Sequence, residues 1–223
     1  MIELPAAQAG HARNRLSVAA LAGPKARHLA SSFVGAAFWL LFAYANIKAS
    51  VESHRVIGAG VGVLGLWAAV LFLVRRPPER VSRSIPIWVV AFAGTFGPSL
   101  LRPGGANPAW IDPLGLTLQG IGVVVGAFGY LALGRSLGLV PAHRGLVTSG
   151  IYRVVRHPLY ASYVIAEIGY LVQSPRLWNL AVLVIAWTCQ AVRLLSEERL
   201  LSLDPDYRSY RERTRWRVVP GLW

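Results

Sequence analysis

The stretch VIGAGVGVLGLWAAVLFLV, residues Val56–Val74, carries no charged side chain over its whole length. It is close to the ~20 apolar residues that a helix needs to cross the hydrocarbon core of a bilayer. The composition agrees, because 54% of the 223 residues are hydrophobic and 15% are charged, whereas soluble domains carry about 25% charged residues. The sequence therefore predicts an all-α, polytopic membrane protein.

Five other segments, on both sides of this stretch, are apolar enough to be spans. The third span in chain order is short and is interrupted by Gly94, Gly97 and Pro98. The fifth and sixth are separated only by the residues QSPR, which predicts a tight antiparallel helical hairpin. The predicted spans are Ser31–Ala49, Val56–Val74, Ile85–Leu101, Leu114–Leu133, Pro158–Val172 and Leu177–Leu195.

Small residues within the spans predict close helix packing. The fourth span is rich in glycine, and glycine lets the backbones of neighbouring membrane helices approach each other. Cys189 lies inside the sixth span and is expected to pack there, because a lone cysteine makes no disulfide framework. The glycines expected at a helix interface are Gly120, Gly122, Gly126 and Gly129.

Basic residues predict the orientation of the spans. The net charge is +13, and arginines cluster in the N-terminal tail, in Arg75–Arg83, in Arg135–Arg156 and in the C-terminal tail. Loops rich in Lys and Arg stay in the cytosol, so both termini are expected there, in the bacterial inner membrane. Arginines between apolar blocks favour lipid headgroups over nucleic acid as partners. We expect a basic tail (1–30), four spans (31–133) and a C-terminal module (134–223) with a loop, two spans and a short interfacial helix.

The start of that last helix is indicated by Asp204 followed by Pro205, a pattern typical of a helix N-cap and first helical residue. The helix is expected to lie at the membrane surface with Tyr207, Tyr210 and Trp216 as interfacial aromatics.

A first polar cluster lies at the cytosolic end of the fifth span. Tyr152, Arg156 and His157 precede Pro158, which can be the first residue of that helix. His157 is then expected at the N-cap, where free N–H groups and the helix dipole favour an anion such as a ligand carboxylate. Tyr160 lies three residues later on the same face. The alternative is that these residues anchor the chain at the membrane surface.

A second polar cluster lies on the sixth span, at the same level of the membrane. Gln190, Arg193 and Glu197 share one face of an otherwise apolar helix, and Arg193 is close enough in sequence to pair with Glu197. Glu198 points about a quarter-turn away and must serve another surface. Two adjacent acids at a membrane helix end are often only solvated, but here they suit a cationic ligand.

At this point the residues resemble a known family. GLVTSGIYRVVRHPLY, followed after a helical hairpin by RLLSEERLLSL and YRSYRERTRWRVVPGL, resembles the isoprenylcysteine carboxyl methyltransferase and phospholipid methyltransferase superfamily of integral membrane enzymes. The resemblance extends from Leu133 to the C-terminal tail, and the first three spans are not diagnostic. It implies S-adenosylmethionine-dependent methyl transfer at the cytosolic face of the membrane.

The resemblance also implies roles for individual residues. In that family the segment matching Leu146, Val147 and Tyr152 lines the cofactor site, and the histidine and tyrosine of the RHPxY motif fall on His157 and Tyr160. The family's cofactor-binding glutamate falls on Glu197. The arginine that the family links to its substrate falls on Arg193. Two departures are that Ser162 stands where many members have glycine, and that the segment after Glu198 is shorter.

The residue types then suggest which part of the cofactor or the acceptor each side chain contacts. Arg156 and His157 are candidates for the methionyl carboxylate, Glu197 or Glu198 for the methionyl ammonium or the ribose hydroxyls, and Tyr152 or Tyr160 for the adenine or the sulfonium. Arg193 and Glu198 are the candidate catalytic residues. A carboxylate or thiolate acceptor needs no general base, so Arg193 would orient it. A phospholipid amine would need one, for which a glutamate is the candidate. The acceptor is expected to be lipophilic or lipid-tethered.

A small-solute transporter or channel is the alternative function. Glu167, near the middle of the fifth span, would line its path, because ionisable residues inside membranes are costly and commonly functional. Otherwise Glu167 is a protonated carboxyl bonded to Gln119 or to a tyrosine of a neighbouring helix. A transporter predicts polar faces through the first four spans, where only Asn46, Thr117 and Gln119 stand out. A haem carrier would need histidines within spans, and the histidines lie in tails, loops or helix ends.

Overall fold

A computed structural model describes residues 23–53, 56–82, 84–104 and 108–223. Most of the predicted N-terminal tail, residues 1–22, lies outside them. Short 3-10 turns cover Gly97–Leu100, Ala109–Ile111, Gly134–Ser136 and Gly150–Arg153, and a two-stranded antiparallel pair joins β1 (Arg80–Val81) to β2 (Ala142–His143). The helices are α1 (Pro24–Ser53), α2 (Val56–Val74), α3 (Ile85–Phe96), α4 (Asp112–Leu133), α5 (Pro158–Gln173), α6 (Leu177–Leu201) and α7 (Pro205–Arg213).

The protein is an integral membrane helical bundle, as predicted. Within the described residues, α1, α2, α4 and α6 are long and apolar enough to cross a membrane. Large apolar side chains such as Leu41, Val70 and Ile185 are exposed on their outer faces, which suits contact with lipid tails. The third and fifth predicted spans are shorter. α5 has 16 residues, which at 1.5 Å per residue is about 24 Å, less than the ~30 Å hydrocarbon core.

The helices pack as neighbouring pairs. α1 packs along α2, α4 along α5, and α3 along α6, while α2 also contacts α4. A buried cluster that includes Trp39, Phe72 and Tyr130 fills the space between α1, α2 and α4. α5 and α6 are antiparallel and joined by a short turn, but they meet through long side chains such as Trp187 and Glu167. The predicted hairpin is therefore present, but α5 packs much more closely against α4 than against α6.

Glycines bring α4 and α5 together almost backbone to backbone. A Cβ added at Gly122 would lie 2.7 Å from the Cβ of Ala166 and 2.8 Å from the carbonyl oxygen of Ser162. Gly126 and Gly129 also face α5, as predicted, but Gly120 has no described neighbour within 4 Å. Ser162, which replaces the family's glycine, is accommodated because the glycines on the facing helix provide the space.

We expect Gly122→Ala to lower the free energy of unfolding by about 1–3 kcal/mol, because the added methyl group meets backbone atoms of α5 that cannot move away. Gly120→Ala is a matched control on the same helix, and it should be neutral or stabilising by up to ~1 kcal/mol, since alanine favours a helix. Thermal unfolding in detergent, followed by tryptophan fluorescence, measures both. Equal unfolding temperatures for the two variants would contradict this packing.

The basic loops meet at one end of the bundle. β1 lies in the Arg75–Arg83 loop and pairs with β2 in the Arg135–Arg156 loop, and the imidazole of His143 bonds to both Glu79 and Asp204. At the opposite end, the Asn179 side chain bonds to the backbone of Arg102. Two of the loops that the charge pattern assigned to a common side are therefore in contact with each other and with Asp204, just before α7.

Candidate active site

A cavity opens at the end of the bundle that carries the basic loops. Its empty space, the open mouth included, is about 990 Å³. All seven helices and the loop between α4 and α5 contribute to its walls. The predicted site residues that line it are Leu146, Val147, Tyr152, Arg156, His157, Tyr160, Arg193 and Glu197.

Glycine turns shape the loop between α4 and α5. Gly145 has a φ of +91° and Gly150 a φ of +60°, backbone conformations that residues with a Cβ rarely adopt. Between these turns Leu146 and Val147 reach the cavity wall, and after them the 3-10 turn buries Tyr152. Burial, reinforced by the negative charge of Glu197, raises the pKa of Tyr152 well above its usual value. Tyr152 is therefore a neutral aromatic wall at physiological pH.

The first turn of α5 meets α6 across the cavity. Pro158 is the first helical residue after His157, as predicted, and the Tyr160 hydroxyl donates a 3.1 Å hydrogen bond to Glu197. The guanidinium of Arg193 lies over the Tyr160 ring, 5.3 Å from its centre. The His157 and Tyr160 rings stand edge to face, with centres 5.5 Å apart. The polar cluster before and on α5 and the polar cluster on α6 therefore line the same cavity.

The spacing allowed Arg193 to pair with Glu197, but the structure holds the Arg193 guanidinium with other partners. Arg193 donates 3.1 Å hydrogen bonds to the Thr95 hydroxyl on α3 and to the Gly138 carbonyl, while the Glu197 carboxylate accepts from the Tyr160 hydroxyl. The Nε of Arg193 is buried without a hydrogen-bond partner in the part of the chain that the structure describes. The side chain is therefore fixed by α3 and by the loop between α4 and α5, and one of its donors is unused.

Glu198 lies away from the cavity wall and is surrounded by donors. Arg156 donates to its Oε1 at 2.8 Å through both Nε and Nη2, and Arg217 donates to its Oε2 at 2.9 Å. The His157 Nε2 and the Tyr207 hydroxyl each lie 3.3 Å from Oε1. A carboxylate with so many partners binds the protein's own C-terminal segment. This arrangement does not favour the predicted catalytic role for Glu198, which remains a prediction.

The same contacts occupy Arg156. Besides Glu198, its Nη1 donates 2.7 Å hydrogen bonds to the carbonyl oxygens of Thr214 and Arg215. The backbone N–H groups of Arg156 and His157 donate to carbonyls of the C-terminal segment, at 2.9 Å and 2.8 Å. Arg156 therefore lines the cavity with its hydrogen-bonding groups already used, which leaves little capacity for the ligand carboxylate predicted there.

α7 covers the cavity. Asp204 is the N-cap of this helix and accepts a hydrogen bond from the Asp206 N–H at 2.9 Å, and Pro205 is the first helical residue, as predicted. Tyr207 and Tyr210, expected to be interfacial aromatics, are instead buried on the cavity side. The Tyr210 hydroxyl donates a 2.6 Å hydrogen bond to the Tyr152 carbonyl. Burial raises the pKa of Tyr210 to about 12, so this phenol keeps its proton.

Glu167 has structural partners within the bundle. The Trp187 indole donates to one of its oxygens at 2.6 Å and the Gln190 amide lies 3.4 Å from the other. Gln119, named as a predicted partner, instead donates to Gln173 at 2.6 Å. Glu167 does not line the cavity, and it joins α5 to α6.

Sequence reasoning missed several cavity residues. Arg144 directly precedes the motif GLVTSGIYRVVRHPLY, and this position next to the motif was the signal that could have identified it. Thr95 on α3 and Tyr163 on α5 carried no motif. Trp39 and Phe72 form an apolar part of the wall. They lie on α1 and α2, whose sequences carry no family motif.

The comparisons with known proteins agree with the resemblance. Residues 135–203 match the model of the isoprenylcysteine carboxyl methyltransferase (ICMT) family. Protein-S-isoprenylcysteine O-methyltransferase A of Arabidopsis thaliana is 31% identical over 110 residues, 46% of this chain and 55% of the relative. Protein-S-isoprenylcysteine O-methyltransferase B of the same plant is 31% identical over 106 residues, 44% of this chain and 53% of the relative.

A third relative has a different kind of name. Cobalt-zinc-cadmium resistance protein CzcN of Cupriavidus metallidurans is 31% identical over 137 residues, 58% of this chain and 61% of the relative. The chain thus spans a little more than half the length of the curated relatives it matches. The family match covers the loop before α5, the whole of α5 and the whole of α6. These elements carry all the predicted site residues that line the cavity.

Proposed function

We propose that this protein is an S-adenosylmethionine-dependent methyltransferase that acts on a lipophilic or lipid-tethered acceptor at the cytosolic face of the bacterial inner membrane. The observation that carries the proposal is the single cavity into which α5, α6 and the α4–α5 loop place all the predicted cofactor residues together with Arg193. The matched family segment covers these same elements.

The cavity residues fit the cofactor chemically. S-adenosylmethionine carries a cationic sulfonium and ammonium, a carboxylate, two ribose hydroxyls and an adenine ring. Glu197 offers a carboxylate on the wall, and Tyr152, Tyr160 and Tyr207 offer neutral aromatic faces. Two buried guanidinium nitrogens, Nε of Arg144 and Nε of Arg193, have no hydrogen-bond partner within the described residues. Glu197 would hold the ammonium or the ribose, and the tyrosines would border the adenine and the sulfonium.

The protein then has to align the methyl donor with the acceptor and to exclude water from the cavity. The bound cofactor supplies a methyl group that is already activated for transfer. Arg193, held by Thr95 and Gly138, orients the anionic end of the acceptor beside Tyr160. α7 covers the cavity with Tyr207 and Tyr210, which keeps water out and holds the reactants together. A carboxylate or thiolate acceptor requires no base in this arrangement, and Glu198 acts by positioning Arg156 and the C-terminal segment.

The alternative of a solute transporter has less support. The polar residues that it requires in the first four spans are bonded within the bundle: Asn46 donates to the Phe42 carbonyl, Thr117 to the Pro113 carbonyl, and Gln119 to Gln173. Within the described chain, His, Cys, Asp and Glu form no cluster of three or more suited to a metal ion. The cavity lies at one end of the bundle and not along it.

Purified protein in detergent is expected to bind S-adenosylhomocysteine, the product form of the cofactor, as measured by calorimetry. His157→Ala and Glu197→Ala should each weaken binding about tenfold or more, which corresponds to the ~1.4 kcal/mol of one lost charge-assisted contact. Glu212→Ala, an exposed acid on α7, is the control and should bind as the unaltered protein does. Absence of binding by the folded, unaltered protein would overturn the proposal.

The acceptor is then found with a labelled methyl group. Candidate acceptors are prenylcysteine carboxylates, thiols and phospholipid amines presented in mixed micelles. Transfer to a carboxylate or thiol supports orientation by Arg193 without a base, whereas transfer to an amine places a base in the site.

A further inference from the structure

Arg144 is a buried cation on the cavity wall. Its side chain is 6% exposed and lines the cavity, and its guanidinium lies against Gly138, where an added Cβ would be 2.5 Å from Nη1. Nε has no hydrogen-bond partner, and no carboxylate within the described ranges forms an ion pair with this side chain. The backbone of Arg144 is anchored separately, because its carbonyl accepts from the Ser136 hydroxyl at 3.1 Å.

The charges around Arg144 do not neutralise it. Arg75 is the nearby cation, and its own guanidinium is held by Ser31 and Ser32 and lies over the Phe72 ring. Burial, together with the positive charge of Arg75, lowers the pKa of Arg144 to about 10, while Glu197 acts in the opposite direction. Arg144 is therefore still charged at neutral pH. A buried, unpaired charge is costly to keep, so a partner supplied by a ligand would account for it.

The other arginines of the cavity are held by the protein, and only Nε of Arg193 has no hydrogen-bond partner within the described residues. Arg156 is bonded to Glu198 and to two carbonyls, and Arg193 to Thr95 and Gly138. Gly138 brings Arg144 and Arg193 together, because one guanidinium lies against this residue and the other binds its carbonyl. The remaining unused guanidinium donors therefore belong to a site with two cations and one facing carboxylate, Glu197.

We propose that Arg144 binds the carboxylate of a molecule held in the cavity, either the methionyl carboxylate of the cofactor or the carboxylate of the acceptor. This proposal rests on the proposed function and moves the carboxylate from Arg156 to Arg144. A guanidinium offers two parallel donors that match a carboxylate. Gly138 supports the geometry, since any side chain there would displace the guanidinium.

The test compares ligands with and without a carboxylate. Arg144→Gln should weaken S-adenosylhomocysteine binding at least tenfold if the carboxylate is the cofactor's, while the decarboxylated analogue binds the variant and the unaltered protein equally. If the carboxylate is the acceptor's, cofactor binding stays the same and the KM for a carboxylate acceptor rises at least tenfold. Arg153→Gln, an exposed arginine in the same loop, is the matched control and should change neither quantity.

Stability gives a readout that a structural role would not produce. Removing an unpaired buried cation should leave the unfolding temperature of the ligand-free protein unchanged or raise it, whereas a structural arginine would lower it. If Arg144→Gln does not fold, the ligand series on the unaltered protein still decides: removing the carboxylate from the cofactor product or from the acceptor should weaken binding of that ligand at least tenfold, and no loss for either ligand overturns this inference. Normal cofactor binding and acceptor KM in a folded Arg144→Gln overturn this inference and leave the proposed function intact. No cofactor binding by the unaltered protein overturns both.

Discussion

Glu198→Ala is expected to lower the free energy of unfolding by about 3–5 kcal/mol, the usual cost of removing one partner from a buried ion pair. The substitution leaves Arg156, His157 and Arg217 without their shared carboxylate. Arg217 belongs to the C-terminal segment, so this segment and α7 should detach from the first turn of α5. Tyr207 and Tyr210 would then leave the cavity, and binding of S-adenosylhomocysteine should be lost with them.

Limited trypsin digestion measures the detachment. The arginines that follow Tyr210 are mostly exposed already, but they are cleaved readily only when the segment that carries them unfolds locally. Thermal unfolding in detergent measures the loss of stability. Glu212→Ala is again the exposed control. Tyr207→Phe removes only the 3.3 Å hydrogen bond to Glu198 and should cost about 1 kcal/mol, so it tests the cluster if Glu198→Ala does not fold. Resistance to trypsin in a folded Glu198→Ala that has lost all methyl transfer would instead assign Glu198 to the chemistry.

The membrane bundle and the location of the site were predictable because both depend on local patterns. Uninterrupted apolar stretches predicted the positions of the helices, and arginine-rich loops predicted which of their ends lie together. The i, i+3 and i+4 spacings placed Tyr160 near His157 and Glu197 near Arg193, because a helix fixes such neighbours regardless of its surroundings. The sequence Asp204-Pro205, an N-cap residue followed by proline, predicted the start of α7 in the same way.

The partners of the polar side chains were not predictable, because they come from distant parts of the chain. Arg193 bonds to Thr95 and Gly138, neither of which its own helix could indicate. A sequence cannot distinguish Glu197 from Glu198 without knowing where the C-terminal segment returns. That segment places Arg217 beside Glu198, so the second acid of the pair is used for structure and the first faces the cavity.

Arg193→Lys is expected to lower the rate of methyl transfer by about 10²–10³-fold, the usual effect of removing one well-placed donor or misplacing a reactant. Lysine keeps the charge, but a single ammonium cannot reach the Thr95 hydroxyl and the Gly138 carbonyl and still offer a donor to the cavity. Binding of S-adenosylhomocysteine should stay within a few-fold of the unaltered protein, because the contacts proposed for the cofactor are made by other groups: Glu197, His157, the tyrosines and, for a cofactor carboxylate, Arg144.

Arg199→Lys is the control for this substitution, since Arg199 is an exposed arginine on the same helix and its replacement should leave turnover unchanged. Rates are measured with labelled cofactor and the acceptor found in the screen. If cofactor binding falls in parallel with the rate, Arg193 holds the donor and the acceptor is oriented by another group. An unchanged rate would mean that the two hydrogen bonds only join α6 to α3 and the loop. The separation of rate from cofactor affinity therefore decides whether the stripe on α6 has one function or two, with Glu197 facing the donor and Arg193, one helical turn deeper, facing the acceptor that arrives from the lipid.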